Sequence, residues 1–436
     1  MAGTFKDKHF YIARSPIFKK QSGWDSPVAN GDLTWRQKQN TKTPPTIALK
    51  WEDDLHCKGE YIIFREISES LWRLRFGFFG TPQEMAGWYA LAVGSSALGS
   101  GTPENEVQTA TDADVDGGAA AIVLTHEGKT LTTAPVAWDA NATAWQNALR
   151  AVLGTTNVTV TGTLAAGLVV TFTGYYGNAN MPLLTFGAGF TDGGSPVTPV
   201  FAQTTPGSQC DHSITRDEIN EQPPQTSLIW AFETDATLPK KGKNIVVNSW
   251  AVSGEAPRQK VLCEVDLIGS GDVSEVSGFA VPSCEYPKDL RFSDTGLRIA
   301  SNWYSVRSFR HEYNNNIYTG DDSFISGSIY PDRLERGDRT TSMTYSVFGS
   351  EGDPLATLVQ SATESPVELH LGKPGDRLSI YSPAQNLLPE DQFTEFVGEA
   401  NRSALNIRGE NFFHPISGNV DYAVALIDQS TAFLTT

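Results

Sequence analysis

The chain is short of several things at once. Only four cysteines occur in 436 residues, and Cys57, Cys210, Cys263 and Cys284 lie far apart with no C-x-x-C spacing. That excludes a small disulfide-stapled scaffold and a cysteine-based metal ribbon. The four read as reduced, structural thiols of a reducing compartment. Basic residues are also scarce: 33 Lys and Arg stand against 50 Asp and Glu, for a net charge of −17. Binding to phosphates is carried by Lys and Arg, so this balance argues against a nucleic-acid-binding surface. It does allow an acidic channel through which a polyanion passes without sticking. No stretch reaches the ~20 apolar residues of a membrane helix. The opening MAGTFKDKHFYIARSPIF has no apolar run of signal-peptide length, so no membrane anchor is expected, and an outer-membrane barrel is set aside with the missing leader. The sequons at Asn141, Asn157 and Asn401 then carry no weight.

Catalytic signals are missing as well. His56–Cys57, Cys210–Asp211–His212 and His370 complete no metal site. Asp53–Asp54 and Asp321–Asp322 have no partner at the spacing of a catalytic carboxylate pair. The expectation is no catalytic residue, no cofactor and no metal.

What is present is β-forming. The chain has 39 Gly and 24 Pro, with 39% apolar and 19% charged residues, a composition that fits many strands joined by turns. Its length exceeds a single ordinary core and points to two or three domains. The most informative stretch is KNIVVNSWAVSGEAPRQKVLCEVDLIG, Lys243 to Gly269. Val261, Cys263, Val265 and Leu267 alternate with Lys260, Glu264 and Asp266, the period of a half-buried antiparallel strand. Gly254 and Pro257 mark the turn before it. Ser326 to Gly349 has the same layout, with Met343, Tyr345 and Val347 on one face and Ser342, Thr344 and Ser346 on the other. Two such hairpins suggest two copies of one β-rich unit.

Taken in order, residues 1–44 form an irregular arm with isolated aromatics (Phe10, Tyr11, Phe18, Trp24, Trp35) that must lie on its own domain or a neighbour. Strand patterns follow in TIALKW, GEYIIFREI and SLWRLRFGFF; in the last, Leu71, Arg73 and Arg75 alternate with Trp72, Leu74 and Phe76. Pro82 near its start and Gly94 past its end bracket a helix over 82–93. The composition then turns to Ala, Thr, Gly and Val. Lys129 and Arg150 are the only basic residues between Gln108 and Gly207. This block reads as strands around one helix, ATAWQNALRAVLG, whose stripe is Trp145, Ala148, Leu149, Val152 and Leu153 with Gly154 as the stop. Its glycine-rich flanks mark it as an inserted domain. The earlier style returns in SLIWAFETDATLPKKGK, a hairpin with a charged tip. Residues 269–289 form a Gly/Ser/Pro-rich border. The second copy adds SFRHEY, MTYSVF, VELHLG, RLSIYS, ALNIRG and DYAVALID, and a short helix over 353–361.

Several of these stretches resemble the tail tube (major tail) proteins of long-tailed bacteriophages. KKQSGWDSPVANGDLTW looks like that family's opening arm, and NIVVNSWAVSGEAPRQKVLCEVDLIGSG is similar to its first long hairpin. YNNNIYTGDD with IYPDRLERGDRTTSMTYSVF is similar to the later hairpin. The likeness covers most of 1–95 and 210–436. The insert, through GKTLTTAPVAWDANATAWQNALRAVLGTTNVTVTG and VVTFTGYYGNANMPLLT, resembles a small α/β repeat of phage virion proteins.

The resemblance implies a mainly β chain with the tail-tube β-sandwich, barrel-forming fold and flanking helices, duplicated, plus a small inserted α/β domain. The map it implies is a first tube domain over 1–101 and 208–280, a decoration domain over 102–207, and a second tube domain over 281–436. Subunits join sheets edge to edge into rings, trimeric and pseudo-hexameric or hexameric, and rings stack into a conduit for DNA and the tape-measure protein. Further implied partners are the tail terminator and distal tail proteins, with only transient, non-specific passage of DNA. The location is the virion tail, assembled in the host cytoplasm. Glu264, Asp266 and Glu368 are the candidate acidic residues of a lumen, or else a solvated outer face. Lys240, Lys241 and Lys243 are candidate contacts to the next ring, or else a solvated turn. A peripheral tail, baseplate or fibre protein that binds the host surface is the alternative, with Tyr175 and Tyr176 as its exposed aromatics. A β-rich carbohydrate-active enzyme is a third reading, and it finds no carboxylate pair to use.

Overall fold

The computed structural model describes the chain from Phe10 to Thr436, except residues 16, 25, 40–45, 56–61, 100, 113, 217–221, 233–238, 257–259, 278–289, 321–323, 325–327, 329, 349–353, 362–363, 390–394, 398–401, 412–421 and 428–431. The expected sites at His56–Cys57, Asp321–Asp322, Cys284 and Asn401, the Pro257 turn, most of the tip before Lys240 and most of the 269–289 border lie outside the described residues.

The chain is mainly β, in antiparallel sheets. The longest run of pairing, here termed the wall, has eight strand positions. They are Thr46–Leu55, Ile62–Phe79, Leu262–Gly269, Lys240–Glu255, Val306–Asn314, Thr340–Phe348, Arg402–Asn411 and the end of Asp376–Pro389. Period-two patterning builds it. Trp72, Leu74, Phe76 and Phe78 turn inward from the second strand, Cys263, Val265 and Leu267 from the third with Val261 just before it, and Met343, Tyr345 and Val347 from the sixth, all buried. A back sheet runs Gly94–Leu98, Cys210–Arg216, Tyr422–Ile427, the start of Asp376–Pro389, Glu364–Lys373 and Thr295–Ile299. Asp376–Pro389 therefore belongs to both sheets.

Helix Pro82–Val93 sits between them, touching strands of each. Thr81 accepts from the Glu84 N–H, Pro82 opens the first turn, and Gly94 ends the helix at φ 106°, where only a residue without Cβ is comfortable. Every residue but Gln83 is buried, as expected of a helix that is apolar all round. The arm covers one side: Phe18 packs edge-on against Trp88 and Phe433, and a Cβ on Gly87 would collide with its ring.

Three expectations change. The described part of 326–339 carries only isolated bridges; the hairpin partner of Thr340–Phe348 is Val306–Asn314. Residues 62–79 form one strand, not two. The two expected tube domains also share a single core. Buried side chains from Ile12 to Leu434 form one cluster with members in both, and strands Lys240–Glu255 and Val306–Asn314 pair directly.

The insert has its own core, from Ala110 to Phe201. Its helix, Ala142–Leu153, is capped by Asn141 and stopped by Gly154, and buries Trp145, Leu149 and Leu153. The stalk is paired on both sides: Glu104 bridges Ser208, and the Gly99 N–H donates to the Asp211 carbonyl. The insert thus leaves and rejoins the body at one point.

Candidate functional site

The face of the wall turned away from the core carries an ordered set of charged side chains. Two cross-strand rows define it. One runs Gly77, Glu264, Ala251, Glu312 and Ser342. The next runs Leu262, Ser253, Arg310, Thr344 and Arg408. Arg310 reaches back one row, 2.7 Å from Glu264 Oε2 and 3.0 Å from Glu312 Oε2. Burial pulls its guanidinium down, but those two carboxylates outweigh it and hold the pKa above its ordinary value. Arg73 grips Asp266 with two bonds, Nη2 at 2.7 Å and Nε at 3.2 Å, and the bond to Asp266 raises it likewise. Asn248, at a bulge in its strand, donates to the same carboxylate at 2.9 Å. Asp266 is buried and depends on its partners to offset lost hydration, whereas the Arg310 pairs are part-exposed and add little stability, about 0–1 kcal/mol each. Their effect is on the field.

That changes the expectation of an acidic lumen. Glu264 and Asp266 do share the wall face, but each is matched by an arginine. Arg73, Arg75, Arg310 and Arg408 stand among Glu255, Glu264, Asp266 and Glu312. The face is mixed in sign. The reason is cross-strand register, which sets strand Ile62–Phe79 beside Asp266 and strand Val306–Asn314 within reach of Glu264.

Glu368 is not with them. It lies on the back sheet, 3.3 Å from Arg298 and 3.5 Å from His370 Nε2. The His370 bond and the Arg298 charge hold its carboxyl below the usual range against burial. The three lysines lie along strand Lys240–Glu255, at and beyond the base of the hairpin connection. Lys240 is exposed, opposite Trp230 and Glu275. Lys241 donates to the Val28 carbonyl at 2.5 Å and to Asn30 Oδ1 at 2.7 Å, and burial lowers its pKa. Lys243 pairs with Asp272 at 2.7 Å. Two of the three are thus held by their own chain.

A second charged cluster was not singled out in the sequence. The insert hairpin Ile122–His126 and Lys129–Thr132 turns through Glu127 and Gly128. Glu127 Oε1 accepts from Arg377 Nη1 at 2.8 Å and lies 3.4 Å from His370 Nδ1. Burial pushes its carboxyl up, but His370, His126 and Arg377 together bring it below the ordinary value. The only local signal is a two-residue Glu-Gly turn between alternating strands. Its partner lies 250 residues away.

Tyr175 and Tyr176 lie beside this junction, half-buried. Tyr176 stands edge-on to His126, and burial raises both phenols. They are not the freely exposed aromatics that a host-binding insert calls for. Among the described residues, no group of three His, Cys, Asp or Glu is placed to hold a metal ion. Cys210 and Cys263 are free and buried, and burial pushes the Cys263 thiol well up. Asn141 and Asn157 are engaged in capping and turn bonds. No helix among the described residues is long and apolar enough to cross a membrane.

No protein-family model matches the chain, and no curated protein matches it.

Proposed function

We propose that this chain is a structural virion protein whose copies join into rings, and whose rings stack into the tail tube of a long-tailed phage. The tube is a conduit for DNA and the tape-measure protein, closed at its ends by terminator and distal tail proteins, and no catalysis is involved. One observation carries the reading: a broad antiparallel wall of eight strand positions. Among the described residues its first strand, Thr46–Leu55, pairs with Ile62–Phe79 alone, and a border strand of that kind is a template for a neighbouring chain.

Strand spacing favours three copies per ring. Eight positions at ~4.8 Å span roughly 38 Å of arc. Three copies close a barrel about 37 Å across, or ~27 Å inside the inward side chains. Six copies give a barrel of about 73 Å, far wider than one duplex fills. In such a tube the mixed-sign face becomes the lumen, and DNA passes because cations and anions alternate across its described rows. The placement of Tyr175 and Tyr176 against the body leaves the host-binding reading without an observation in its favour.

Electron microscopy of the purified protein over a range of concentrations, alone and with the tape-measure partner, tests this. Stacked rings of threefold symmetry with a central hole are expected. Compact particles without a hole under both conditions defeat it.

A further inference from the structure

The junction beneath the insert is built more tightly than a tethered decoration needs. Three observations converge on the Glu127–Gly128 turn. First, Glu127 is held at φ 49° and Gly128 at φ 73°. Paired left-handed residues make a type I′ turn, where Asn and Gly are the comfortable choices. A glutamate there carries backbone strain, which persists when surrounding contacts hold it. Second, its carboxylate is received by the body through Arg377 at 2.8 Å and His370 at 3.4 Å, with Arg298 and Glu368 in the same strand pairing. Third, the turn seats against an aromatic wall. A Cβ on Gly128 would lie 2.7 Å from Trp303 Cβ, and the Trp303 ring stands edge-on to His370 at 5.1 Å. A second contact lies close by, where a Cβ on Gly375 would overlap the Gly177 carbonyl of the insert.

We propose that Glu127–Gly128 is a latch. The turn is a key, Trp303, His370 and Arg377 are its lock, and together they fix the insert in one orientation on the body. The paired stalk alone holds the insert at one point and leaves rotation about that point. The latch supplies the second point. Losing the carboxylate frees the insert to swing without unfolding it, and uncovers a cationic, aromatic socket on the back sheet. The inference does not depend on the tail-tube reading.

Hydrogen exchange on the full-length protein tests it, in wild type, Glu127→Gln, Arg377→Gln and the double variant. A part-buried hydrogen bond between charged groups is worth about ten-fold in the open population. Amides of 126–132 and 370–378 should therefore exchange about ten-fold faster in either single variant, and no faster in the double. Amides of the insert helix, 145–153, should stay as slow as in wild type. Unchanged exchange at the junction in both single variants overturns the latch. So does simple addition of the two effects, or acceleration of 145–153 in Glu127→Gln, which would make Glu127 a support of the insert's own fold. Should Arg377→Gln fail to fold, Glu127→Asn replaces it. That change suits the turn but shortens the reach to Arg377, so faster junction exchange supports the latch and unchanged exchange defeats it.

Discussion

The two long helices have twelve residues each and the same punctuation: a capping side chain, then a glycine stop. Their surroundings are opposite. Pro82–Val93 lies between two sheets and under an arm, and buries Met85, Trp88, Tyr89, Leu91 and nearly everything else. Ala142–Leu153 lies on one side of a small core and buries only Trp145, Leu149 and Leu153. Local chemistry decides where a helix begins and ends; the number of layers around it decides what it is made of. The body and the insert are therefore separate folding problems joined at a stalk and a latch.

The largest test of that separation is excision. Replacing 102–207 with a short Gly-rich turn between the paired stalk strands should leave the body folded and able to assemble, with one unfolding transition by calorimetry. A chain that no longer folds would mean the insert belongs to the body core. Next come the buried tryptophans. Trp250→Ala in the body and Trp145→Ala in the insert should each cost about 3–5 kcal/mol. The first should lower the main transition, and the second should melt the insert ahead of an unchanged body. Loss of both transitions together in Trp145→Ala would erase the distinction.

Acid should act on the body more than on the insert. His311, beneath Tyr89 and Trp250, has its imidazole pushed down to about 3 by burial. The unfolded chain takes up that proton near pH 6.5, whereas the folded chain does not. Stability from this group is therefore full above about 6.5 and falls as pH drops toward 3, by at most ~1.4 kcal/mol per unit. Denaturant titrations between pH 6.5 and 4.5 should show a shallower slope in His311→Phe than in wild type; equal slopes would remove His311 as the cause. The smallest effect is at the caps. Thr81→Ala and Asn141→Ala should each cost about 1 kcal/mol, read in the body transition for the first and the insert transition for the second.

Helix ends and strand faces were legible because they rest on local chemistry. Pro82, Gly94 and Gly154 stand where the helices begin or end, and the alternations 72–78 and 261–267 each match a buried face. The change of composition after Gly94 and again after Gly207 brackets the second buried cluster, Ala110 to Phe201. What failed depended on partners far along the chain. Residues 326–339 looked like a strand, but Leu334 from that region packs with Ile317 over Val246 and Ile268, covering the wall instead of extending it. GEYIIFREI and SLWRLRFGFF read as two strands, but one strand runs on through Ser68 and Glu69. Glu264 and Asp266 were visible as an acidic alternation, but their arginines were not, since only register brings Arg310 and Arg73 beside them. Glu127 was invisible for the same reason.

The paired stalk has a practical consequence. Strands facing each other across an antiparallel ladder are about 5 Å apart, so the body offers two closely spaced, fixed ends at Gly99 and Asp211. A foreign module whose termini lie equally close can be grafted there with no slack in its linkers. If copies of the body repeat along a filament, each graft would be carried at a regular interval, and the molecule becomes a ruler for displaying cargo.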